Sequence, residues 1–542
     1  MTAAGERNEV GARLEFDVIV VGYGAAGASA AIEAAERGAR VLVIDRAYGG
    51  GASALSGGVV YAGGGTTYQR AAGYDDTVDD MYRYLARETG DAVSPETLRR
   101  FCDTSVDTVT WLEDHGVRFA GGVPEYKTSY PTDDHYLYYS GNEKAHPYKD
   151  VAEPAPRGHR ALAKGLSSGK VMFTALAASA AAKGVTAITA ARVEELVLDG
   201  ARVTGVRFRS LSPDSRGAAR HRRLLGWGGK IGNWMPPIGR LFTDRADALW
   251  EKSAQSHTAY ADAVVLAAGG FINNPEWVRE HAPEFVDISP LGTPGDDGAG
   301  IRLGQSVGAA TGKMGNVTAW RFLTPPSALL EGIAVGQDGA RIANEDLYGA
   351  AHGDIMMRHH GGRGWLVCDA ATWRRARAQL RTQTQSFQLL QLIPLFLFGY
   401  RKASTLDALA AKIGVDPAGL RASTAAYNEG LSSGLGDPFH KAPEYCAPIE
   451  GGPFYAIDIS AQNVIYYPLP GLTLGGLVVD ERTGGVLRAD GSTIDGLYAA
   501  GRNAVGICAN GYVSGLSLAD CVFSGRRAGE YASARVSRQL AD

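Results

Sequence analysis

The chain has 542 residues, enough for two domains with sizeable cores, and its net charge of −4 gives no overall field that would attract nucleic acid. The five cysteines are scattered and form no CxxC pair, which argues against a disulfide framework or a bound metal and fits a reducing cytosol. The first residues lack the apolar core of a signal peptide, and no run of about 18 apolar residues occurs, so we expect a cytoplasmic protein without a spanning helix.

The first predicted unit is a strand, a glycine turn, a helix, a second strand and an acidic residue. These elements occupy residues 16–21, 22–27, 25–37, 41–44 and 45. The apolar run before Gly22 is typical of a buried parallel strand. In this order, a GxGxxG motif indicates a dinucleotide site rather than an ordinary structural turn.

Each residue of this motif has a physical role at a pyrophosphate. Gly22 permits the tight turn, Gly24 lets the backbone approach the phosphates, and Gly27 lets the helix pack close to the strand. The N-terminus of the helix offers unpaired N–H groups and the positive end of its dipole to the anion. Asp45 is placed to accept hydrogen bonds from ribose hydroxyls.

A segment rich in glycine and serine follows at residues 49–65, with the strings GGGASALSGG and AGGG. Backbone with so few side chains can wrap closely around a flat cofactor. The two segments together resemble the flavoprotein superfamily of fumarate reductase, succinate dehydrogenase and the 3-ketosteroid dehydrogenases. The resemblance implies FAD and an α/β fold, in which a Rossmann-like two-dinucleotide-fold FAD-binding domain carries an inserted α+β catalytic domain. The acid is usually Glu in that group, and Asp45 is one methylene shorter.

Residues 75–115 alternate charged and apolar side chains at helical spacing and predict two amphipathic helices. The next segment, residues 126–160, holds six tyrosines and four prolines, which by itself fits a long surface loop. Its strings YLYYSGNE at Tyr136–Glu143 and PAPRGHR at Pro154–Arg160 resemble the 3-ketosteroid Δ4-(5α)-dehydrogenases. That resemblance implies a loop that lines the flavin cavity.

The second half of the dinucleotide fold is predicted from a helix at 165–184, a hairpin at 193–206 and an apolar strand at 261–271. The block Ile494–Arg502 resembles the GLYAAGE segment that closes the FAD site, with Arg502 in place of the usual Glu. The residues expected at the cofactor are Gly22, Gly24, Ala25, Ala26, Gly27, Asp45, Arg46, Gly51, Ala52, Ser53, Ser56, Gly57, Gly58, Val193, Ala268, Gly269, Gly270, Gly501, Arg502, Leu516, Ser517 and Leu518.

A change of character near residue 290 predicts a catalytic domain at 286–457, between FAD-binding parts at 1–285 and 458–542. Within it, Ala340–Tyr348 resembles the GxRFxNE segment, after which fumarate reductases place a substrate arginine. Here Tyr348 stands near that place, and the later block Asn510–Leu518 also lacks the arginine of those enzymes. Without these guanidinium groups a dicarboxylate has no bidentate partner, which argues against fumarate and succinate.

Tyr348 and Tyr512 offer the groups that oxidation beside a ketone requires. Such a reaction needs donors for an enolate oxygen, a base for the α-proton and a flavin that accepts hydride. Tyr512 can donate its phenol and Gly515 its backbone N–H, and Tyr348 can act as a base or relay if its pKa, about 10 in water, is lowered. Spacing alone favours ordinary cavity residues, whereas tyrosines in both blocks fill these roles in the 3-ketosteroid dehydrogenases.

The string that begins at Tyr512 separates two classes of these enzymes. The 1,2-acting enzymes continue as YPGPG, whereas Tyr512-Val513-Ser514 resembles the Δ4-(5α) enzymes, in which the serine joins the tyrosines around the substrate. The predicted catalytic residues are Tyr348, Tyr512, Ser514 and Gly515. The resemblance implies FAD-dependent dehydrogenation of a 3-ketosteroid, or a similar bulky hydrophobic ketone, at C4–C5. The alternatives are a 3-ketosteroid 1,2-dehydrogenase, a related enone reductase and a non-catalytic FAD-binding membrane-associated protein. No motif identifies the electron acceptor.

Two further segments mix apolar and basic residues. The insertion at 210–256 mixes basic and aromatic residues within 216–242, and the run Phe387–Tyr400 is followed by Arg401 and Lys402. One interpretation is a buried helix and an ordinary loop. The other is contact with a membrane surface through 216–242 and 387–402. The apolar run is too short to cross a bilayer.

Overall fold

The computed structural model describes residues 14–232 and 236–539. The first residues of the predicted FAD-binding domain, and residues 233–235 within the predicted membrane segment, therefore lie outside the described residues.

The strands of the described residues are, in chain order, β1 (Leu14–Glu15), β2 (Val18–Val21), β3 (Val41–Ile44), β4 (Val59–Tyr61), β5 (Leu137–Tyr138), β6 (Gly158–Arg160), β7 (Thr186–Ile188), β8 (Ala191–Asp199), β9 (Arg202–Ser210), β10 (Gln255–Tyr260), β11 (Ala263–Leu266), β12 (Ser289–Pro290), β13 (Thr311–Gly312), β14 (Val317–Ala319), β15 (Ile333–Val335), β16 (Trp365–Cys368), β17 (Tyr400–Ala403), β18 (Phe454–Asp458), β19 (Pro470–Thr473), β20 (Gly476–Leu477), β21 (Gly485–Leu487) and β22 (Thr493–Ala499).

The α-helices of the same residues are α1 (Ala25–Glu36), α2 (Gly51–Leu55), α3 (Thr67–Ala71), α4 (Val78–Thr89), α5 (Pro95–Asp103), α6 (Ser105–Asp114), α7 (Ser168–Ala182), α8 (Arg216–Gly232), α9 (Pro236–Ser253), α10 (Pro275–His281), α11 (Ala299–Gln305), α12 (Gly349–His359), α13 (Ala370–Gln383), α14 (Ser386–Phe398), α15 (Leu406–Ile413), α16 (Pro417–Ser432) and α17 (Leu516–Gln539).

The central sheet has the strand order β21–β22–β11–β2–β3–β7. Its strands are parallel except for β21, which pairs with β22 in the antiparallel sense. Strands β2, β3 and β11 are buried at every position, as expected for parallel strands that are covered on both faces. The predicted mixed α/β fold is therefore confirmed.

The two faces of β2 belong to different cores. Val18 and Val20 pack in one core with helices α1 and α17, whereas Ile19 and Val21 pack in the other with the sheet β1–β10–β9–β8. Helices α1 and α17 approach so closely at Gly525 that an added Cβ atom there would lie 2.4 Å from the carbonyl oxygen of Ala26. The C-terminal helix is thereby fixed against the helix that follows the glycine turn.

A separate sheet, β15–β16–β18–β17, is formed only by segments between residues 333 and 458. It has its own small apolar core with helices α15 and α16, which includes Val367, Leu409 and Leu420. These segments lie within the predicted catalytic domain. The boundaries at 286 and 457 stay a proposal.

The segment 75–115 forms three helices rather than the predicted two. Ser94 accepts a hydrogen bond from the backbone N–H of Thr97, and Pro95 opens α5, so a new helix begins at that point. Thr104 then leaves helical geometry and separates α5 from α6. Periodicity alone did not locate these two breaks.

Most of both segments that were considered for membrane contact is helical in the described residues, and Arg401 and Lys402 lie on β17. The insertion is a hairpin of α8 and α9, and the apolar run is α14. Among the helices in the described part of the chain, none is both long enough and apolar enough to cross a bilayer.

Candidate active site

The glycine turn after β2 has the geometry that its sequence predicts. Gly22 has a φ of +101°, and a Cβ atom there would lie 2.5 Å from the carbonyl oxygen of Ala267. A Cβ atom at Gly27 would lie 2.0 Å from the carbonyl oxygen of Gly22. At Gly24, in contrast, the nearest atom to an added Cβ is the Ser53 hydroxyl at 3.4 Å, so the backbone is open to a ligand on this side.

Asp45 holds the loop after β3 against the glycine turn. Its carboxylate accepts hydrogen bonds from the backbone N–H groups of Tyr23 at 2.9 Å, Ala47 at 2.9 Å and Gly49 at 3.0 Å. A carboxylate has about four acceptor positions, so three are already used by the protein. The sequence predicted a ribose contact and did not reveal this structural role, and the ribose contact stays a prediction.

The glycine–serine segment is ordered by its own hydroxyls. The Ser53 hydroxyl accepts from the backbone N–H of Ala25 at 3.0 Å, at the start of α1. Ser56 donates to the carbonyl of Ser53 at 2.7 Å and accepts from the N–H of Gly58 at 3.2 Å. Gly57 is held from the other side, because the Tyr130 hydroxyl donates to its carbonyl at 3.0 Å.

Arg502 lies beside the second glycine pair. It pairs with Asp296 at 2.5 Å and lies 3.2 Å from the position of an added Cβ at Gly270. Its Nη1 atom is buried and has no hydrogen-bond partner among the described residues. A buried cationic donor without a partner, beside the glycine pair that follows β11, fits an anionic cofactor such as FAD.

The remaining predicted cofactor residues lie on the helices and strands around the two glycine turns, after β2 and after β11. Ala26 is in the first turn of α1, and Arg46 follows Asp45 and pairs with Asp297 at 2.7 Å. Val193 lies on β8, and Ala268 and Gly269 follow β11. Those at the ends of α2, β22 and α17 are Gly51, Ala52, Gly501, Leu516, Ser517 and Leu518.

The C-terminal glycine block meets the tyrosine-rich segment through its backbone. The N–H of Ser514 donates to the carbonyl of Ser140 at 3.0 Å, and the Ser140 hydroxyl donates to the carbonyl of Ser514 at 3.0 Å. Gly515, with a φ of +92°, accepts a hydrogen bond from the N–H of Tyr61 at 3.1 Å. These contacts place Ser514 opposite Tyr138, with 3.0 Å between the two hydroxyl oxygens.

Tyr348, another predicted catalytic residue, lies near Ser514. Burial raises the pKa of Tyr348 well above its ordinary value, and a hydrogen bond with Ser514 acts in the opposite direction. Burial also raises the pKa of Tyr138. The structure thus brings Tyr348 and Ser514 together as predicted and adds Tyr138, which sequence reasoning missed.

Tyr512 lies in the same group with a different hydroxyl partner. Burial raises its pKa to about 12, and its hydroxyl lies 3.2 Å from the Ser517 hydroxyl in the first turn of α17. Its ring packs edge-on against Trp320 at 5.1 Å between ring centroids. At neutral pH this phenol is therefore protonated and can donate a hydrogen bond.

Asn142 is a second residue that sequence reasoning missed. Its side-chain oxygen accepts from the N–H of Tyr348 at 2.6 Å, and its amide nitrogen donates to Glu88 at 3.0 Å. Because Asn142 is fully buried, this contact fixes the start of α12. The only sequence signal was its place in the string YLYYSGNE.

The loop before Tyr348 is fixed by a buried ion network. Glu345 accepts from the Arg341 guanidinium at 2.9 Å and pairs with the Lys441 ammonium at 3.0 Å. These cations lower the pKa of Glu345 to about 2, although burial acts in the opposite direction. The resemblance to the GxRFxNE segment marked this loop, and the structure shows how its charged residues hold it.

Comparison with known proteins agrees with this geometry. The family model described as FAD binding domain matches residues 17–515. The chain is 42% identical over 494 residues to the 3-oxo-5-alpha-steroid 4-dehydrogenase of Comamonas testosteroni, covering 90% of this chain and 92% of that one. The crystal structure of the 3-ketosteroid Δ4-(5α)-dehydrogenase of Rhodococcus jostii RHA1, in complex with 4-androstene-3,17-dione, superposes with a TM-score of 0.81, 31% identity and coverage of 97% and 99%.

A more distant structure shares the fold. The 3-ketosteroid Δ1-dehydrogenase of Sterolibacterium denitrificans superposes with a TM-score of 0.66 and 21% identity, covering 96% of this chain and all of that one. The predicted family and the predicted FAD cofactor are both confirmed by the family model and the relatives.

Replacing Asp45 by asparagine should weaken FAD binding. An amide turns an NH₂ group toward backbone donors that the carboxylate now satisfies, and each unsatisfied donor costs about 1–3 kcal/mol. We expect the Kd for FAD to rise at least about tenfold, measured by titrating apoprotein with FAD and following flavin fluorescence.

Asp17→Asn is the matched control, because Asp17 binds Arg40 at the opposite end of β2. An equal rise in Kd for both variants would contradict the role assigned to Asp45.

Proposed function

The chain belongs to the FAD binding domain family, and we propose that it is an FAD-dependent dehydrogenase that introduces the C4–C5 double bond into a 3-ketosteroid. The observation that carries this proposal is the group of hydroxyls at Tyr138, Ser514 and Tyr348, with Tyr512 beside it. The activity of the Comamonas and Rhodococcus relatives supports the same assignment.

Tyr512 and Gly515 hold the ketone oxygen in this proposal. The protonated phenol of Tyr512 donates to the oxygen as negative charge develops on it, and the N–H of Gly515 is the second donor. Each such donor contributes about 3–4 kcal/mol to stabilisation of the transition state. Contact with Trp320 fixes the Tyr512 ring, so little rearrangement is needed during the reaction.

Tyr348 removes the proton from C4. Its own burial opposes ionisation, and the hydrogen bond from Ser514 favours the ionised form. Ser514 can donate to Tyr348 while it accepts from Tyr138, so the three hydroxyls form a chain of donors that ends at the base. FAD, when bound, supplies the acceptor at N5 for the hydride that leaves C5. As the two C–H bonds break, C4 thus gives up a proton to Tyr348 and C5 gives up a hydride, and the C4–C5 double bond forms.

The proposal is tested by the position of the new double bond. Purified protein is mixed with 5α-androstane-3,17-dione and an artificial electron acceptor, and the product is identified by mass spectrometry against standards. We expect the 4-ene product. A 1-ene product would show that the YxS string does not select the bond, and no product from FAD-loaded protein would overturn the dehydrogenase assignment for this substrate.

Replacing Tyr138 by phenylalanine should shift the pH dependence of the reaction. Loss of the donor to Ser514 weakens the stabilisation of ionised Tyr348, so the pKa of the base rises further. Activity requires the ionised base, so the rising limb of the kcat profile moves to higher pH, and kcat at pH 7 falls about tenfold or more.

Tyr136→Phe is the control for this change, because the Tyr136 hydroxyl donates to the carbonyl of Ala163 instead. Bound FAD should be unchanged in both variants. An unshifted pH profile of kcat for Tyr138→Phe would contradict the proposal that Tyr138 acts on the base through Ser514.

We also propose that the protein is cytoplasmic and docks on a membrane surface through α14. One side of this helix packs on the protein, where Phe396 stacks on Trp373 at 4.8 Å. The opposite side exposes leucine, isoleucine and phenylalanine, with Phe398 66% exposed, and two exposed basic residues follow it. Apolar side chains bordered by cations suit the surface of an anionic bilayer, in which a steroid substrate dissolves.

The replacement Leu397→Asp should reduce sedimentation with anionic phospholipid vesicles by at least tenfold, since burying one leucine contributes about 1.5–3 kcal/mol and a charge is added. Leu435→Asp is the control, because Leu435 is an exposed leucine on the loop after α16. Trp227→Asp tests the other segment, on α8. Unchanged sedimentation of Leu397→Asp would overturn docking through α14.

A further inference from the structure

The helical hairpin α8–α9 is inserted between β9 and β10, and its base is firmly attached to that sheet. Trp250 is buried between the guanidinium groups of Arg192 and Arg209, which lie 4.1 and 4.7 Å from its ring. The indole N–H of Trp250 donates to the carbonyl of Ala190 at 2.9 Å. The base of the hairpin therefore has one fixed position beside the end of β7.

The hairpin also contacts the loop that follows β3. The Tyr48 hydroxyl donates to the carbonyl of Ala218 at 3.1 Å and lies 2.9 Å from Nδ1 of His221. The guanidinium of Arg222 lies 4.5 Å from the Tyr48 ring. With the Nδ1–H tautomer of His221, both hydrogen bonds of the hydroxyl form at the same time.

The surroundings of His221 favour its neutral form. It is almost completely buried, and burial lowers its pKa. Arg192 acts in the same direction, whereas Asp247 opposes it. A neutral ring can hold the Nδ1–H tautomer that this contact requires.

A continuous path of hydrogen bonds joins the hairpin to the cofactor turn. The N–H of Ala190, whose carbonyl accepts from Trp250, donates to the carbonyl of Ala47 at 2.7 Å. Ala190 has a φ of +51°, a left-handed conformation that costs a non-glycine residue energy and persists where its neighbours fix it. From Ala47 the path continues through Asp45 to the N–H of Tyr23 in the glycine turn.

From these contacts we infer that the hairpin is a clamp on the loop 45–50 and slows the release of FAD. Tyr48 and His221 are positioning residues in this role, since they act on the cofactor through the loop that Asp45 holds to the glycine turn. The inference needs FAD as the cofactor but is independent of the steroid bond that is oxidised. It assigns the insertion a role at the cofactor rather than at the membrane.

The test compares Tyr48→Phe, His221→Leu and His221→Asn. Tyr48→Phe removes both hydrogen bonds of the Tyr48 hydroxyl to the hairpin, whereas His221→Leu removes only the bond to the His221 ring. Asparagine at position 221 places an amide N–H close to the position of Nδ1. Stopped-flow release of FAD and titration of the apoprotein give the dissociation rate and Kd. We expect both to rise about tenfold in Tyr48→Phe and His221→Leu and to return toward the wild-type values in His221→Asn.

Leu241→Ala is the control on the hairpin, because Leu241 is exposed and lies on α9. The thermal midpoint of each apoprotein and the KM for steroid are measured in parallel and should change little. If Tyr48→Phe and His221→Leu lower the thermal midpoint of the apoprotein but leave the rate of FAD release unchanged, the contact is purely structural and the inference is wrong. Equal changes in the FAD dissociation rate for His221→Leu and His221→Asn would show that the hydrogen bond of His221 does not slow the release of FAD.

Discussion

The whole site depends on the close approach of two backbone segments that lie far apart in sequence. Ser514 and Ser140 exchange two hydrogen bonds, and both segments reach this distance because glycine stands where a side chain would collide. A Cβ atom at Gly515 would lie 2.7 Å from the nitrogen of Tyr61, and one at Gly158 would lie 2.5 Å from the Cβ of Ser140. The hydroxyl contacts follow from this approach, because neither Tyr138 nor Ser514 could otherwise reach the other.

Burial has two different consequences for the tyrosines in the proposed mechanism. A phenol in a dry environment stays protonated and donates well, which suits Tyr512 as a partner for a developing oxyanion. The same burial makes a phenol a poor base, so Tyr348 needs donors that favour its ionised form. Ser514 provides one such donor, and Tyr138 strengthens it. In the proposed mechanism, three similar side chains thus have different roles because their hydrogen-bond partners differ, although their own chemistry is the same.

Local patterns predicted the parts of the protein that depend on local geometry. The turn at Gly22 and Gly27 and the strands beside it follow from steric rules that act within a few residues, and the structure has them as expected. The three backbone bonds of Asp45 and the contact of Tyr138 with Ser514 depend on segments brought together by the fold, and no spacing in the sequence encodes them. Resemblance to a family supplied Tyr348, Tyr512 and Ser514 as candidate catalytic residues, and spacing alone favours ordinary cavity residues at these positions.

The two segments that composition marked as alike differ in what their apolar residues face. Both mix aromatic, aliphatic and basic residues, so composition assigned the same role to both. In the hairpin, His221 and Trp250, which lies beyond the marked range 216–242, turn inward and are satisfied by Tyr48 and by the sheet, although Trp227 and Leu241 are exposed. In α14, Phe398 turns outward although the helix has an apolar interior face to pack. A buried aromatic residue with a polar partner belongs to the fold, whereas an apolar side of a helix left in water requires a partner that is also apolar. The orientation of the apolar side chains on α14, rather than its composition, therefore supports the proposed docking through this helix.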